Sequence, residues 1–208
     1  MNIIGNTCIG ARLYQLNNSC YTNPFMWSIV DADSMIKLIE NYKHIDFYNY
    51  DISKSDYYNR TSFYRNQYKN ELKQPLFIFK ITIDGLVDVH YVHYRFNAYK
   101  TTPTVNGANV EGNRIYEYVV EKYISRVKRM VENNEQPKFV VTALEYDYTF
   151  KKQQFIANLD TEYKTVIICD NPERLSSNNP NILIRKLFRP YGTCMNLAKH
   201  YNDVILNF

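Results

Sequence analysis

A cysteine stands at position 8, just after an apolar run and a glycine, in the stretch "IIGNTCIG" of residues 3–10. The pattern reads as a short buried strand over Asn2–Gly5 turning into a helix that opens at Cys8 and carries Ile9, Leu13 and Leu16 on one side. The thiol therefore falls at a strand's carboxyl end and at a helix N-terminus. The helix dipole and unpaired N–H groups there favour a thiolate. They also offer donors to the oxyanion of an acyl-transfer intermediate, and the Asn6 side chain can add one more. The competing reading makes Cys8 a small apolar side chain packed under the first helix.

Thiol chemistry needs a base, and the chain has four histidines, His44, His90, His93 and His200. Two of them fall in "HYVHY". Strand alternation puts Val87, Val89, Tyr91 and His93 on one face and Asp88, His90 and Val92 on the other. The apolar set marks the His93 face as the more buried, so His93 is the preferred base and His90 the second choice. Their opposite facing argues against the pair chelating one metal. A third group would orient the imidazole. Glu145 and Asp147 follow the strand-like run at 138–144, and Asp170 follows "VIIC".

These residues need a scaffold. With 208 residues, 45% hydrophobic and 22% charged, the composition is that of a chain able to bury a core as one domain. Aromatic content reaches 15%, with 20 tyrosines. AT-rich codon usage accounts for that excess more simply than a surface stacking tyrosine on sugars or bases. A net charge of +4 is too small to argue for nucleic acid as a partner. Cys8, Cys20, Cys169 and Cys194 are scattered, without the spacing of a zinc site. No secretory leader and no apolar run of about 20 residues is seen, so a cytoplasmic protein with reduced thiols and no membrane span is expected.

Along the chain, "PFMW" at 24–27 holds the one tryptophan, Trp27, and Asp31 or Asp33 can cap a helix in "DADSMIKLIENY". A short strand is expected near 45–48, then a Tyr/Asn-rich insertion around 49–74. Strands at 76–83 and 86–94 flank Asp84-Gly85, a hairpin signal. A loop over 97–113 precedes a helix at 114–133 that carries Arg126 and Arg129. Strand 138–144, helix 151–159 and strand 164–169 form a βαβ unit, which demands parallel pairing. Residues 181–188 can add a strand, and Thr193 caps a final helix through about Tyr201. The expected fold is a single three-layer α/β sandwich over 1–208, with a mainly parallel, Rossmann-like central sheet and one antiparallel hairpin.

The Asn and Cys after a strand, the "PF-x-W" motif, the "HYVHY" strand and the "KYISRVKRM" helix together resemble a family of uncharacterised proteins described as papain-like cysteine peptidases. The opening and "VHY" also resemble a related family labelled as exopolysaccharide-biosynthesis proteins. The likeness runs in order through residues 3–170. It implies Cys8 as nucleophile and His93 as base. The peptidase-labelled family tends to have an aspartate where this chain has Met26, and an adjacent Asn-Cys where Thr7 intervenes here. The two families stand as equal candidates, and a strand before the cysteine suits an α/β sandwich better than the papain architecture.

Three functions follow as expectations. The first is a cysteine-dependent hydrolase or acyltransferase for a polar small molecule, glycan or peptide, linked to polysaccharide synthesis, needing no cofactor or metal. Its site would comprise Cys8, His93, Asn6, Glu145 and Asp147, with Trp27, His90 and Arg126 contacting substrate. The second is a glycosyltransferase-like or sugar-nucleotide-binding protein with a structural Cys8. The third is a non-enzymatic carbohydrate-binding or interaction domain using the Tyr-rich segment.

Overall fold

A computed structural model describes residues 2–55, 76–97, 104–105, 108–109, 112–144, 147–187 and 194–208. Four strands make a wholly parallel sheet: β1 (Ile3–Gly5), β8 (Lys138–Thr142), β9 (Thr165–Cys169) and β10 (Ile182–Lys186), in that spatial order. The other described strands are antiparallel: β2 (Ile29–Val30), β3 (Tyr50–Ser55), β4 (Leu76–Ile83), β5 (Val87–Asn97), β6 (Thr104–Val105) and β7 (Ala108–Asn109). They form a second sheet ordered β3-β4-β5-β6-β7, with β2 also paired to β5.

The expectation of one mainly parallel sheet with a single hairpin is therefore corrected to two sheets. The parallel strands fall where the apolar runs place them, because each is nearly unbroken and the central ones are buried on both faces. The hairpin also stands where Asp84-Gly85 puts it. Asp84 and Gly85 both have positive φ, 52° and 63°, and the Leu86 N–H donates to the Ile83 carbonyl at 2.9 Å. That is the type I′ geometry such a dipeptide favours. The remaining antiparallel strands fall elsewhere than expected. Residues 45–48 form no strand, and β3 begins only at Tyr50. Asn49 holds that segment, donating from its side chain to Asp84 Oδ1 at 2.8 Å, while the Tyr48 N–H donates to Asp46 Oδ1. The expected insertion thus opens as strand β3. Its part over 56–74 lies outside the described residues. The expected loop over 97–113 likewise contributes β6 and β7.

The two faces of the parallel sheet take different partners. Ile3, Val140, Val166 and Ile168 pack with α1 (Ile9–Leu16) and α5 (Cys194–Asn207). Ile4, Phe139, Val141 and Ile167 face the larger core, shared with α2 (Ala32–Asn41), α3 (Gly112–Asn133), α4 (Phe150–Ala157) and the inner face of the antiparallel sheet. Asp31 caps α2, accepting from the Ser34 N–H at 2.8 Å. No helix among the described residues is long and apolar enough to cross a membrane.

The short strand β2 joins the two sheets. The Val30 N–H donates to the Asn6 carbonyl just beyond β1 at 3.1 Å, while Ile29 pairs with His90 on β5. Tyr148, after β8, donates its hydroxyl to the Val30 carbonyl at 2.7 Å.

Candidate functional site

The carboxyl end of β1 carries the opening motif. Gly5 and Gly10 let α1 lie almost against its own strand. A Cβ on Gly5 would come within 2.9 Å of Ile9 Cγ2 and 3.0 Å of the Gly10 nitrogen. Overpacking of this kind costs roughly 1–3 kcal/mol. We expect Gly5→Ala to lower the urea midpoint accordingly, and an unchanged midpoint would mean that α1 can pivot away.

Cys8 occupies the position before the first helical residue. Its carbonyl accepts from the Arg12 N–H at 3.0 Å, its side chain makes no capping bond, and it is partly exposed. Thr7 is the residue whose hydroxyl turns back, accepting from the Ile9 N–H at 3.4 Å. Cys194 at the start of α5 reaches that same hydroxyl, with its sulfur 3.8 Å away. Two helix starts thus converge on Thr7, with Cys8 beside them. Cys169, at the end of β9, is an interior thiol that burial pushes up to about 11.

Asn6 is bound into the sheet. It is 0% exposed. Its Oδ1 accepts from the Thr142 N–H at 2.8 Å and the Thr142 hydroxyl at 3.1 Å, and its Nδ2 donates to the Thr142 carbonyl at 2.8 Å. The amide thereby continues the β1–β8 ladder one residue past the strand.

Trp27 and Arg126, both expected as substrate contacts, come together with Tyr21 beside α1. The Arg12 guanidinium lies 4.7 Å from the Trp27 ring centroid, and Tyr21 meets Trp27 edge-on at 6.3 Å. Arg126 is only 6% exposed, lies 5.8 Å from the Tyr21 ring and donates to the Met26 carbonyl at 3.1 Å. It anchors the 24–27 turn, where Trp27 takes a left-handed φ of 61°.

The two histidines of "HYVHY" separate. Alternation holds through Tyr91, with Val87, Val89 and Tyr91 in the core. Beyond it the register shifts: Tyr91 pairs with Phe79, but Ile78 pairs with Arg95. His93 falls inside this bulge, where alternation no longer fixes a face. Its side chain lies outside the described residues, as does Glu145. The backbone path is clear. The antiparallel pairing of Ile29 with His90 sends the following residues of β5 back along the 24–28 turn, and the Tyr91 hydroxyl donates to the Pro24 carbonyl at 2.5 Å.

His90, expected on the more open face, is itself only 6% exposed. It borders a cleft of about 490 Å³ between the outer face of β4 and β5, the end of β3, the start of α2 and the chain after β8. Its Nδ1 lies 2.9 Å from the Ser55 hydroxyl and its Nε2 3.7 Å from Asp31 Oδ2. Asp88, two residues earlier on the same face, accepts from the Thr82 hydroxyl at 2.6 Å and from Lys80 at 3.0 Å. One ligand atom each from Asp31, Asp88 and His90 lies within 4.8 Å of the others.

Asp147, expected as a third catalytic member, enters this same cleft. Its Oδ2 accepts from the Ala32 N–H at 2.7 Å, at the first turn of α2. Its Oδ1 is shut off from solvent and has no hydrogen-bond partner among the described residues. Burial raises the Asp147 carboxyl above its ordinary value, and the neighbouring Asp31 charge adds to this. For Asp31 burial acts the same way, but bonds from His90 and the Ser34 N–H outweigh it and hold that carboxyl low.

The site thus divides into a thiol corner and a carboxylate–imidazole cleft, linked by β2. Sequence reading misses Asp88, Ser55 and Lys80, and takes Asp31 only as a helix cap. The Asp-x-His spacing of Asp88 and His90 on one strand face is the available signal. Fold and site together define a two-sheet α/β protein, with Cys8 beyond the end of a parallel strand and the carboxylate–imidazole groups on and beside the antiparallel sheet. No protein-family model matches the chain, and no curated protein matches it either.

Proposed function

We propose that the protein is a cysteine-dependent hydrolase or acyltransferase with Cys8 as the nucleophile. The placement of Cys8 supports this reading: a partly exposed thiol at the first turn of α1, not used in capping, where backbone N–H groups can meet an oxyanion. A histidine takes the thiol proton and the sulfur attacks a carbonyl carbon, forming an S–C bond. The C–O or C–N bond to the leaving group then breaks as the histidine returns the proton to it. Water or an acceptor hydroxyl cleaves the resulting thioester. His93 is the proposed base, since β5 runs back beside the turn that packs near α1. Trp27, stacked on Arg12 one turn into α1, would wall the approach of a polar glycan or peptide substrate. A link to polysaccharide synthesis rests on the sequence resemblance alone.

Iodoacetamide labelling tests the nucleophile, with the exposed Cys20 as the internal standard. An ordinary thiol titrates near ~8.5, so it is almost wholly protonated at pH 6. Peptide mass spectrometry should find Cys8 alkylated roughly tenfold or more faster than Cys20 at pH 6. Equal rates from pH 6 to 8 would make Cys8 a structural cysteine and end this reading.

A further inference from the structure

We propose that Asp31, Asp88 and His90 form a binding site for a divalent first-row transition-metal ion, in the cleft that Asp147 also lines. The three ligand atoms already lie within 4.8 Å of one another, and a modest contraction would bring them to coordination distances near ~2.1 Å. The set is not merely acidic. His90 is nearly fully buried and presents Nε2 towards Asp31, while the Ser55 hydroxyl sits 2.9 Å from Nδ1. Metal binding would take the tautomer in which Nδ1 donates to Ser55 and Nε2, which faces Asp31, gives up its proton and carries the lone pair. This is how metal-bound imidazoles are commonly oriented.

A second observation points the same way. Asp147 Oδ1 is a buried carboxylate oxygen without a hydrogen-bond partner among the described residues, and Asp147 lines the same cleft. Its other oxygen accepts from the Ala32 N–H, one residue after Asp31. Such an oxygen is costly unless something cationic or hydrogen-bonding meets it. A bound ion, or a water on that ion, would do so. The oxygen–nitrogen donor set suits Mn²⁺ or Zn²⁺ better than Ca²⁺, which takes oxygen alone. Lys80 is the built-in competitor, since its ammonium lies 3.0 Å from Asp88 Oδ2.

The probe is Mn²⁺ alone, titrated into the full chain and read by electron paramagnetic resonance. We expect binding with a Kd of about 100 μM or tighter, with pulsed spectra of the wild-type complex showing an imidazole ¹⁴N coupling. Asp31→Asn and His90→Gln should each weaken binding at least roughly tenfold, and His90→Gln should abolish the nitrogen coupling. Lys80→Met should tighten binding severalfold. Asp33→Asn, on the rim and paired with Lys152 at 2.8 Å, should leave it within about twofold. The site is overturned if wild-type protein binds no Mn²⁺ below about 1 mM, or if its bound ion shows no nitrogen coupling. It is equally overturned if folded Asp31→Asn and His90→Gln proteins, checked by circular dichroism, bind as tightly as wild type. None of these readouts depends on Cys8.

Discussion

Asn6→Ala should destabilise the fold by about 3–5 kcal/mol, from the loss of one fully buried amide that serves two backbone groups of Thr142. Both the Thr142 N–H and its carbonyl lie two residues past Val140, the last β8 residue paired with β1, where no backbone atom of β1 replaces the lost side chain. Leaving a buried donor or acceptor unmet costs roughly 1–3 kcal/mol for each group, and the lost volume adds to that. Urea unfolding followed by circular dichroism measures the loss. The variant also separates two roles for Asn6. If it matters through the sheet, Asn6→Ala will lower stability while leaving the relative labelling rates of Cys8 and Cys20 nearly unchanged in the folded protein. A loss below about 1 kcal/mol would mean that the Thr142 groups find other partners.

Stability should also fall above pH 10, by about 1 kcal/mol or more for each pH unit. Tyrosines that burial holds protonated set the fall, Tyr14, Tyr42, Tyr123 and Tyr163 among them. Tyr14 is bonded to Thr22 at 2.5 Å, Tyr42 accepts from Asn2 at 3.2 Å, and Tyr123 donates to the Phe47 carbonyl at 2.7 Å. Burial raises all three above the ordinary value of 10. The sign follows from where the protons go. Below pH 10 both folded and unfolded chains keep them, so the contribution is fully present. Above it the unfolded chain releases about one proton per tyrosine while the folded chain holds on, and unfolding is favoured until the folded values are reached. Each such proton is worth about 1.4 kcal/mol per pH unit. Urea midpoints at pH 9, 10, 11 and 11.5 would show a gentle decline from the buried Cys169 thiol and then the steeper fall. Tyr123→Phe should make the fall shallower. A decline under about 1 kcal/mol per unit would mean that these rings ionise in place.

What is legible in the sequence divides along a physical line. The parallel strands declare themselves, because runs such as "FVV" and "TVIIC" are apolar at successive positions, as strands covered on both faces must be. Asp84-Gly85 likewise fixes a turn from two residues alone. By contrast β2 is two residues long, too short for any periodicity, yet it decides which residues meet. Through it Asp31 comes beside His90, a meeting written in no local spacing. Asp147 is legible as a residue presented after a strand, but its neighbours are not. Asn6 reads as a hydrogen-bond donor, and it is one. Its acceptor is the carbonyl of Thr142, 136 positions away, and local sequence carries no sign of that. Alternation assigns His93 a face, a rule that the bulge after Tyr91 suspends.

That span of 136 positions between Asn6 and Thr142 has a consequence for how the chain is made. A ribosome adding about 5–20 residues per second needs roughly 7–27 s to travel from one to the other. Throughout that interval Ile3 and Ile4, both fully buried in the finished protein, have no strand to pair with. The antiparallel sheet and α3 leave the exit tunnel first and can collapse on their own hairpin, whereas β1 waits for β8. Pairings this distant in sequence form slowly, because the loop must close before any contact repays it. Newly synthesised chains stalled before residue 138 should therefore expose an unpaired apolar edge and be clients of chaperones. Release of β8 is the step that retires them.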